Sequence, residues 1–143
     1  MNSALPAVER DDASAEFFDA AARGELLVKR STVSGTVLGP EVRTDPVSGS
    51  PDLEPYVVSG AGTLVSWTVV HRAPTPVLAA AVPYVSAIVE LVEGPWLTVR
   101  LIADDPARLR AGIPVRARFL PTGDPADGSG EGEVAAVFES VLD

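Results

Sequence analysis

Two pairs of polar residues recur at the same spacing early in the chain, and this spacing is typical of a metal-binding ribbon. Ser31 and Ser34 lie three positions apart before a glycine, and Asp45 and Ser48 repeat the arrangement before a second glycine. With cysteine at these four positions, the segment would carry the repeated Cys-x-x-Cys pattern that binds zinc. The chain has no cysteine. One carboxylate and three neutral hydroxyls are poor zinc ligands, so we predict that zinc is absent and that the chain carries no cofactor.

Charged side chains further along the chain offer other chemistry. His71, the only histidine, could act as a general base, but no cysteine, serine elbow or second histidine accompanies it, so a structural or surface role is favoured. Arg100, Arg116 and Arg118 alternate with apolar residues in strand-like segments and could bind a phosphate group or an acidic partner. The simpler interpretation of these arginines is a soluble surface.

The composition limits the class of protein. With 143 residues and 46% hydrophobic side chains, the chain can bury an apolar core as one domain with a small appendage. Its net charge of −9 argues against nucleic-acid binding, because clustered cations must neutralise the phosphates. The first residues do not form a basic and apolar leader, and no apolar run is long enough to cross a bilayer. We therefore expect a cytoplasmic protein that binds neither nucleic acid nor membranes.

Hydrophobic periodicity predicts one helix followed by strands. Residues 1–11 are polar and are predicted to be mobile. A helix over about 13–23 follows, with Phe17 and Phe18 on its apolar stripe and a glycine as its stop. From Tyr56 the period changes to two, as in strands with one buried and one exposed face.

The order of the strands predicts a closed barrel. Gly60 and Gly62 indicate a bulge or sharp bend at the first strand. Three strands, a short helix that begins after Asp105, and two further strands make up the pattern. This order is typical of the OB-fold, a five-stranded Greek-key barrel, and a β-sandwich is the alternative. We predict a mainly β protein with the helix and a ribbon-like segment at 12–55 and the barrel at 56–143.

A hydrophobic loop interrupts the predicted barrel. The run from Val77 to Val85 is too apolar to lie exposed to water, so it either folds over the mouth of the barrel or is covered by another protein. Trp67 and Trp96 lie on predicted strands and could stack on a nucleobase. Packing in the core or in an interface is the favoured role of at least one of them.

Several stretches, taken in order, resemble a known family. The chain runs from FF and AARGELL through SGAGTLVSWTVVHRAP and PYVSAIVELVEG to AGIPVRARF. It resembles the acyl-CoA-associated family in which a rubredoxin-like zinc ribbon precedes an OB-fold. The resemblance extends from about Glu16 to Phe138 and is most specific at residues 60–74 and 83–94. The four ligand positions of the family's ribbon fall on Ser31, Ser34, Asp45 and Ser48.

The resemblance implies an accessory role in a larger enzyme. Members of the family bind thiolase-like enzymes, and the thiolase-like subunit carries the reacting residues. For this chain the resemblance implies a non-catalytic subunit of a hetero-oligomer with a lipid-transfer-type thiolase. The complex would act on acyl-CoA thioesters, with retro-aldol cleavage of steroid side chains as the favoured reaction. The alternative is a free-standing OB-fold module that binds single-stranded nucleic acid, which the acidity of the chain disfavours.

Particular residues of this chain are candidates for contacts in such a complex. No catalytic residue is assigned to this chain, but His71 would face the substrate, and Arg100, Arg116 and Arg118 would contact the phosphates of CoA. The residues predicted to bind the partner are apolar or aromatic: Phe17, Phe18, Trp67, Val77, Leu78, Val82, Tyr84 and Trp96.

The missing zinc ligands imply that other forces hold the ribbon. A structural zinc ion contributes on the order of 10 kcal/mol to folding, so its loss must be compensated. We predict that backbone hydrogen bonds and apolar contacts keep the hairpin shape. The candidate apolar anchors, besides a partner's surface, are Val33, Val37, Leu38 and Val42.

Overall fold

The computed structural model describes residues 5–123 and 132–141. Over these residues one helix, α1 (Ala15–Ala22), precedes eight strands. The strands are β1 (Leu26–Ser31), β2 (Val37–Leu38), β3 (Leu53–Val58), β4 (Ala61–Val70), β5 (Tyr84–Leu91), β6 (Trp96–Ile102), β7 (Pro114–Pro121) and β8 (Val134–Ser140). Single turns of 3-10 helix lie between β4 and β5 (Pro76–Leu78) and between β6 and β7 (Pro106–Arg108).

Strands β4 to β8 form a closed barrel in the order β4-β5-β6-β8-β7. Neighbouring strands are antiparallel except β6 and β8, which are parallel. The predicted mainly β class and OB-fold barrel are therefore confirmed. The predicted helix after the third barrel strand is a single turn, and the Asp105 carboxylate caps it by accepting a hydrogen bond from the Ala107 N–H at 3.0 Å.

The barrel core follows the alternation in the sequence. The inward residues of β5 are each at most 2% exposed: Val85, Ala87, Val89 and Leu91. Leu101 of β6 and Phe138 of β8 meet them from the other side and are 1% and 0% exposed. Leu26 and Val28 of β1 pack against the same core. The helix and ribbon segment is therefore attached to the barrel through apolar contacts.

Glycines shape the start of β4. Gly60 has a φ of +83°, which a glycine adopts without strain, and it separates β3 from β4. At Gly62 a Cβ atom would lie 2.4 Å from the carbonyl oxygen of Glu90, so only glycine allows the two strands to approach. The predicted bend is present at Gly60, whereas the register shift in the β4–β5 pair lies between Leu64 and Ser66.

The smaller sheet extends further along the chain than the sequence predicted. Strands β2, β1 and β3 form an antiparallel sheet of three strands, and β3 pairs with β1 along its whole length. The boundary predicted between residues 55 and 56 falls inside β3. The structure groups β3 with the smaller sheet and begins the barrel at β4. The sequence could not show this, because the period of a strand does not reveal which sheet the strand joins.

The segment before α1 is bound to the barrel. The Val8 carbonyl accepts a hydrogen bond from the Glu133 N–H at 2.8 Å, and the Val8 N–H donates to Thr122 Oγ1 at 3.0 Å. The Arg10 guanidinium forms ion pairs with Glu133 and Asp19. Residues 5–11 are therefore hydrogen-bonded and ion-paired to the rest of the chain, contacts that composition could not reveal. The predicted mobility of residues 1–4 lies outside the described residues.

Candidate functional site

The two polar pairs fold as two turns of the same geometry, which we call the first knuckle (residues 31–35) and the second knuckle (residues 45–49). In each knuckle the carbonyl of the first residue accepts a hydrogen bond from the N–H of the final glycine, at 2.9 Å and 2.6 Å respectively. Gly35 and Gly49 have φ values of +76° and +75°, in the left-handed region that favours glycine. The polar spacing and its glycines therefore predicted the backbone of both knuckles.

The four predicted ligand positions meet at Asp45. The Asp45 carboxylate accepts hydrogen bonds from the hydroxyls of Ser34 and Ser48 at Oδ2, the latter at 2.8 Å, and from the Val47 N–H at Oδ1, at 2.9 Å. Ser31 also lowers the pKa of this carboxyl. Asp45 is 0% exposed and Ser31 is 1% exposed. We call these four side chains the Asp45 cluster.

Hydrogen bonding stabilises the charged form of Asp45. The bond from the Ser34 hydroxyl above all, supported by Ser31, Val47 and Ser48, holds the pKa of this carboxyl well below its usual range, although burial opposes the shift. The knuckles are therefore joined around a buried negative charge.

This arrangement does not fit zinc. A carboxylate offers about four lone-pair sites, and two hydroxyls and one backbone N–H occupy three of those of Asp45. Ser31 Oγ in addition accepts hydrogen bonds from the N–H groups of Val33 and Ser34, at 3.2 Å and 3.1 Å. Zinc prefers thiolate or imidazole, and within residues 5–123 and 132–141 no group of three or more His, Cys, Asp or Glu side chains converges on a possible ion.

The predicted apolar anchors of the ribbon account for only part of its stability. Leu38 is 8% exposed, and Val37 packs against the core. Val33 is 61% exposed, and Val42 contributes its carbonyl, which accepts a hydrogen bond from Lys29 Nζ at 2.9 Å. The sequence interpretation missed that Asp45 is the centre of the segment. The available signal was the single carboxylate among three serines.

The predicted partner-binding residues lie in several places, the first of which is α1. The rings of Phe17 and Phe18 meet edge to face with centroids 5.4 Å apart, and both rings are half-buried. They line a cleft of about 690 Å³ between α1 and the β1–β3 sheet, together with charged side chains such as Lys29, Arg43 and Glu54. Phe17 also packs against the core, so part of its predicted role is structural.

The second place is the loop between β4 and β5. Ala81 is 0% exposed and anchors the loop, while Leu78 and Val82 are half-buried, as is Tyr84 at the start of β5. Val77 is 68% exposed. The loop thus folds onto the protein in part and still presents Val77 to solvent, and cover by another protein stays a prediction. His71, at the end of β4, is also exposed.

The two tryptophans have different environments. Trp67 on β4 is partly buried against the core, which agrees with the favoured prediction for one of the pair. Trp96 on β6 is 58% exposed, and its indole N–H donates to the Glu90 carboxylate at 2.8 Å. Glu90 and Trp96 are direct cross-strand partners in the β5–β6 pair.

The three predicted phosphate-binding arginines separate into two groups. Arg116 and Arg118 of β7 both form ion pairs with Glu139 of β8, each at 3.0 Å. The Arg100 guanidinium lies 5.3 Å from the centre of the Tyr84 ring, and burial lowers the pKa of Arg100. Sequence interpretation missed Glu139, because its position opposite the two arginines depends on the pairing of β7 with β8. Contact with CoA stays a prediction.

Comparison with known proteins identifies the family. The sequence model of the ChsH2 C-terminal OB-fold domain matches residues 55–120. The solved structure of an Ltp2-ChsH2(DUF35) aldolase aligns with a TM-score of 0.72 and 32% identity, covering 96% of this chain and 99% of that chain. This chain belongs to the ChsH2-like DUF35 family.

Two curated proteins resemble this DUF35 chain over 115 residues. One is a probable enoyl-CoA hydratase alpha subunit from Thermomonospora curvata, at 36% identity. The other is the 3-oxo-4,17-pregnadiene-20-carboxyl-CoA hydratase alpha subunit from Mycobacterium tuberculosis, at 38% identity. Each match covers 80% of this chain but 35% of the relative, so the DUF35 chain spans about a third of the length of these relatives. Among its described residues, no helix is long and apolar enough to span a membrane.

Proposed function

We propose that this DUF35 chain is a non-catalytic accessory subunit of a thiolase-like enzyme of the Ltp2 type. The observation that carries the proposal is the structural likeness, over 96% of the chain, to a chain of the Ltp2-ChsH2(DUF35) aldolase. Several of its polar side chains are paired with one another within the chain, which supports a scaffolding role. Arg116 and Arg118 are paired with Glu139, and the Glu90 carboxylate is bonded to the indole of Trp96.

The substrate of the complex would be an acyl-CoA thioester with a steroid-like side chain. The names of the similar proteins include an aldolase and a hydratase subunit for a pregnadiene-carboxyl-CoA, and retro-aldol cleavage is the reaction we propose. Such a step needs a base that removes the proton of the substrate hydroxyl and a site that stabilises the enolate. Both would lie in the thiolase-like partner, whereas this chain would bury the partner's apolar surface and shape the entrance to the pocket.

The loop between β4 and β5 is the proposed point of contact with the partner. Val77, at 68% exposure, is an apolar side chain that association would remove from water. His71 lies at the start of the same loop and would face the substrate entrance. Phe18, in the cleft beside α1, and Trp96 complete the proposed contacts.

Co-expression with an Ltp2-type protein tests the proposal. We expect the two proteins to co-elute in size-exclusion chromatography, and we expect aldol cleavage of the CoA thioester only from the complex. Separate elution, or turnover by this chain alone, would contradict an accessory role. A shift in elution of the isolated chain on addition of a single-stranded oligonucleotide would instead support the alternative OB-fold module.

A matched pair of variants tests the loop. Val92 is also 68% exposed, but it lies after β5, at the opposite end of the strand from the loop. We expect Val77→Asp to lower the affinity for the partner about tenfold, because it places a charge in the interface, and thereby to reduce co-elution. Val92→Asp should leave the affinity unchanged. Equal effects of the two substitutions would exclude the loop as the contact.

A further inference from the structure

We propose that the Asp45 carboxylate takes the place of the metal ion in this ribbon, so that the two knuckles are joined by a negative centre instead of a positive one. The inference concerns the fold of the chain and does not depend on the proposed partner. It rests on the geometry of the Asp45 cluster, in which one hydroxyl from each knuckle, that of Ser34 and that of Ser48, donates to the same buried carboxylate.

The identity of the surrounding residues agrees with this exchange. A metal ion is a cation, so its ligands must be electron-pair donors such as thiolates. A carboxylate at the centre reverses the charge and needs hydrogen-bond donors around it. Serine has the shape of cysteine but carries a hydroxyl that donates a strong hydrogen bond. Ser34 and Ser48 therefore supply two hydroxyl donors, Ser31 is buried at the third ligand position and caps its own turn, and Asp45 itself occupies the fourth.

The connection between the knuckles runs through one atom. Asp45 Oδ2 accepts a hydrogen bond from Ser34 of the first knuckle and from Ser48 of its own knuckle. Asp45 Oδ1 accepts from the Val47 N–H, and Ser31 Oγ accepts from the Val33 N–H, so the first side chain of each knuckle also caps its own turn. Because Asp45 is 0% exposed, its carboxylate depends on these donors and not on water in the folded chain.

Metal analysis of the purified wild-type chain is the first test. We expect no stoichiometric metal by mass spectrometry. We also expect the same melting temperature and the same amide hydrogen exchange of residues 31–50 with and without a chelator or added zinc. One zinc ion per chain, with loss of exchange protection on chelation, would overturn the proposal.

The second test removes the carboxylate. Asp52 is an exposed aspartate in the same segment and provides the control. We expect Asp45→Ala to lower exchange protection in residues 31–50 by about tenfold or more while β5 keeps its protection, and Asp52→Ala to change neither region. Wild-type protection of residues 31–50 in Asp45→Ala would overturn the proposal.

Single serine variants keep the test decisive if Asp45→Ala does not fold. Ser34→Ala and Ser48→Ala each remove one donor to Asp45 Oδ2. We expect each to lower the protection of residues 31–50 by a smaller factor than Asp45→Ala, and the double variant to exceed either single one. Unchanged protection in the double variant would show that the carboxylate does not join the knuckles.

The third test replaces the negative centre of the ribbon with a metal ion. The variant S31C/S34C/D45C/S48C replaces the carboxylate and its donors with four thiols at positions that already converge. We expect it to bind one cobalt(II) ion per chain with a thiolate charge-transfer absorption, and to make protection of residues 31–50 dependent on the metal. Failure to bind cobalt would show that the four positions do not surround one centre.

Discussion

The barrel and the ribbon are both β-structures, yet they bury opposite kinds of side chain. At the centre of the barrel lie Val85, Val89 and Phe138, each 0% exposed. At the centre of the ribbon lie Asp45 and Ser31, which are buried to the same degree. The barrel surrounds enough volume for non-directional apolar burial to hold it together. The ribbon has a strand of only two residues, β2, and a unit this small depends on directional bonds where a larger one would depend on a core.

One strand passes between these two interiors. Leu26 and Val28 of β1 belong to the apolar core, whereas Ser31 at the end of the same strand belongs to the Asp45 cluster. The change occurs within one strand of six residues. The two regions therefore share a backbone, although different interactions stabilise them, and substitutions can separate their contributions.

The largest expected effect comes from the barrel core. Phe138→Ala removes a ring that is 0% exposed and should lower the free energy of unfolding by about 3–5 kcal/mol. Urea denaturation followed by tryptophan fluorescence measures this loss. Phe18→Ala, at a half-buried ring beside α1, serves as the control and should cost less than half as much. Equal losses would contradict the assignment of the main core to the barrel.

Substitution of one glycine in each region compares how strictly the backbone of the barrel and of the ribbon requires glycine. In Gly62→Ala the new Cβ would lie 2.4 Å from the Glu90 carbonyl oxygen, so we expect a loss of about 3 kcal/mol in unfolding free energy. In Gly35→Ala the space around the Cβ is open, and only the positive φ is unfavourable, which costs about 1–2 kcal/mol. Chemical denaturation of both variants checks the order. A larger loss for Gly35→Ala would mean that β4 and β5 can separate without cost.

The anchor of the N-terminal segment should have a smaller effect. Thr122 is 3% exposed, accepts a hydrogen bond from the Val8 N–H and donates one to the Glu133 carbonyl at 2.6 Å. Thr122→Val keeps the shape but loses both bonds, and should cost about 1–2 kcal/mol. Thr68→Val, at an exposed position of β4, is the control and should change stability little. Increased hydrogen exchange at Val8 in Thr122→Val alone would locate the loss.

Acidification should lower the exchange protection of the ribbon before that of the barrel. Of the four changes proposed for comparing the two regions, it should have the smallest effect. Because the pKa of Asp45 is held below its usual range in the folded chain, its contribution is complete above the unfolded carboxyl value of about 3.9 and decreases as the pH falls below it. We expect amide exchange of residues 31–50, corrected for the intrinsic rate, to rise relative to β5 below about pH 4. Asp45→Ala should abolish this difference. An equal rise of amide exchange in residues 31–50 and in β5 would contradict this prediction.

The parts of the fold that the sequence predicted are those set by neighbouring residues. The period-two spacing of Val85, Ala87 and Val89 identified the buried face of β5, and all three are buried. The cap formed by Asp105 before its proline was likewise readable from adjacent residues. The paired spacing before Gly35 predicted the first knuckle, because a turn of this kind depends on the φ of one residue.

The candidate site was less predictable because it depends on long-range neighbours. Glu139 lies 23 residues from Arg116 in the sequence and pairs with both Arg116 and Arg118 across β7 and β8. These pairs engage two of the three arginines expected to contact phosphate. The Ser34–Asp45 bond joins two turns separated by a loop. Neither contact follows from residue spacing, since the partner of a charged or polar side chain depends on which strands and turns become adjacent.

The amino-acid sequence alone determined the barrel, its inward faces, the absence of thiolate ligands and the two knuckle turns, because hydrophobic period and backbone preference act locally. Only the tertiary structure decided that β3 joins the small sheet and that residues 5–11 are anchored to the barrel. It also decided that the carboxylate of Asp45 is the centre of the ribbon. These features depend on hydrogen bonds between distant segments, and such bonds form only after folding has brought the donors and acceptors together.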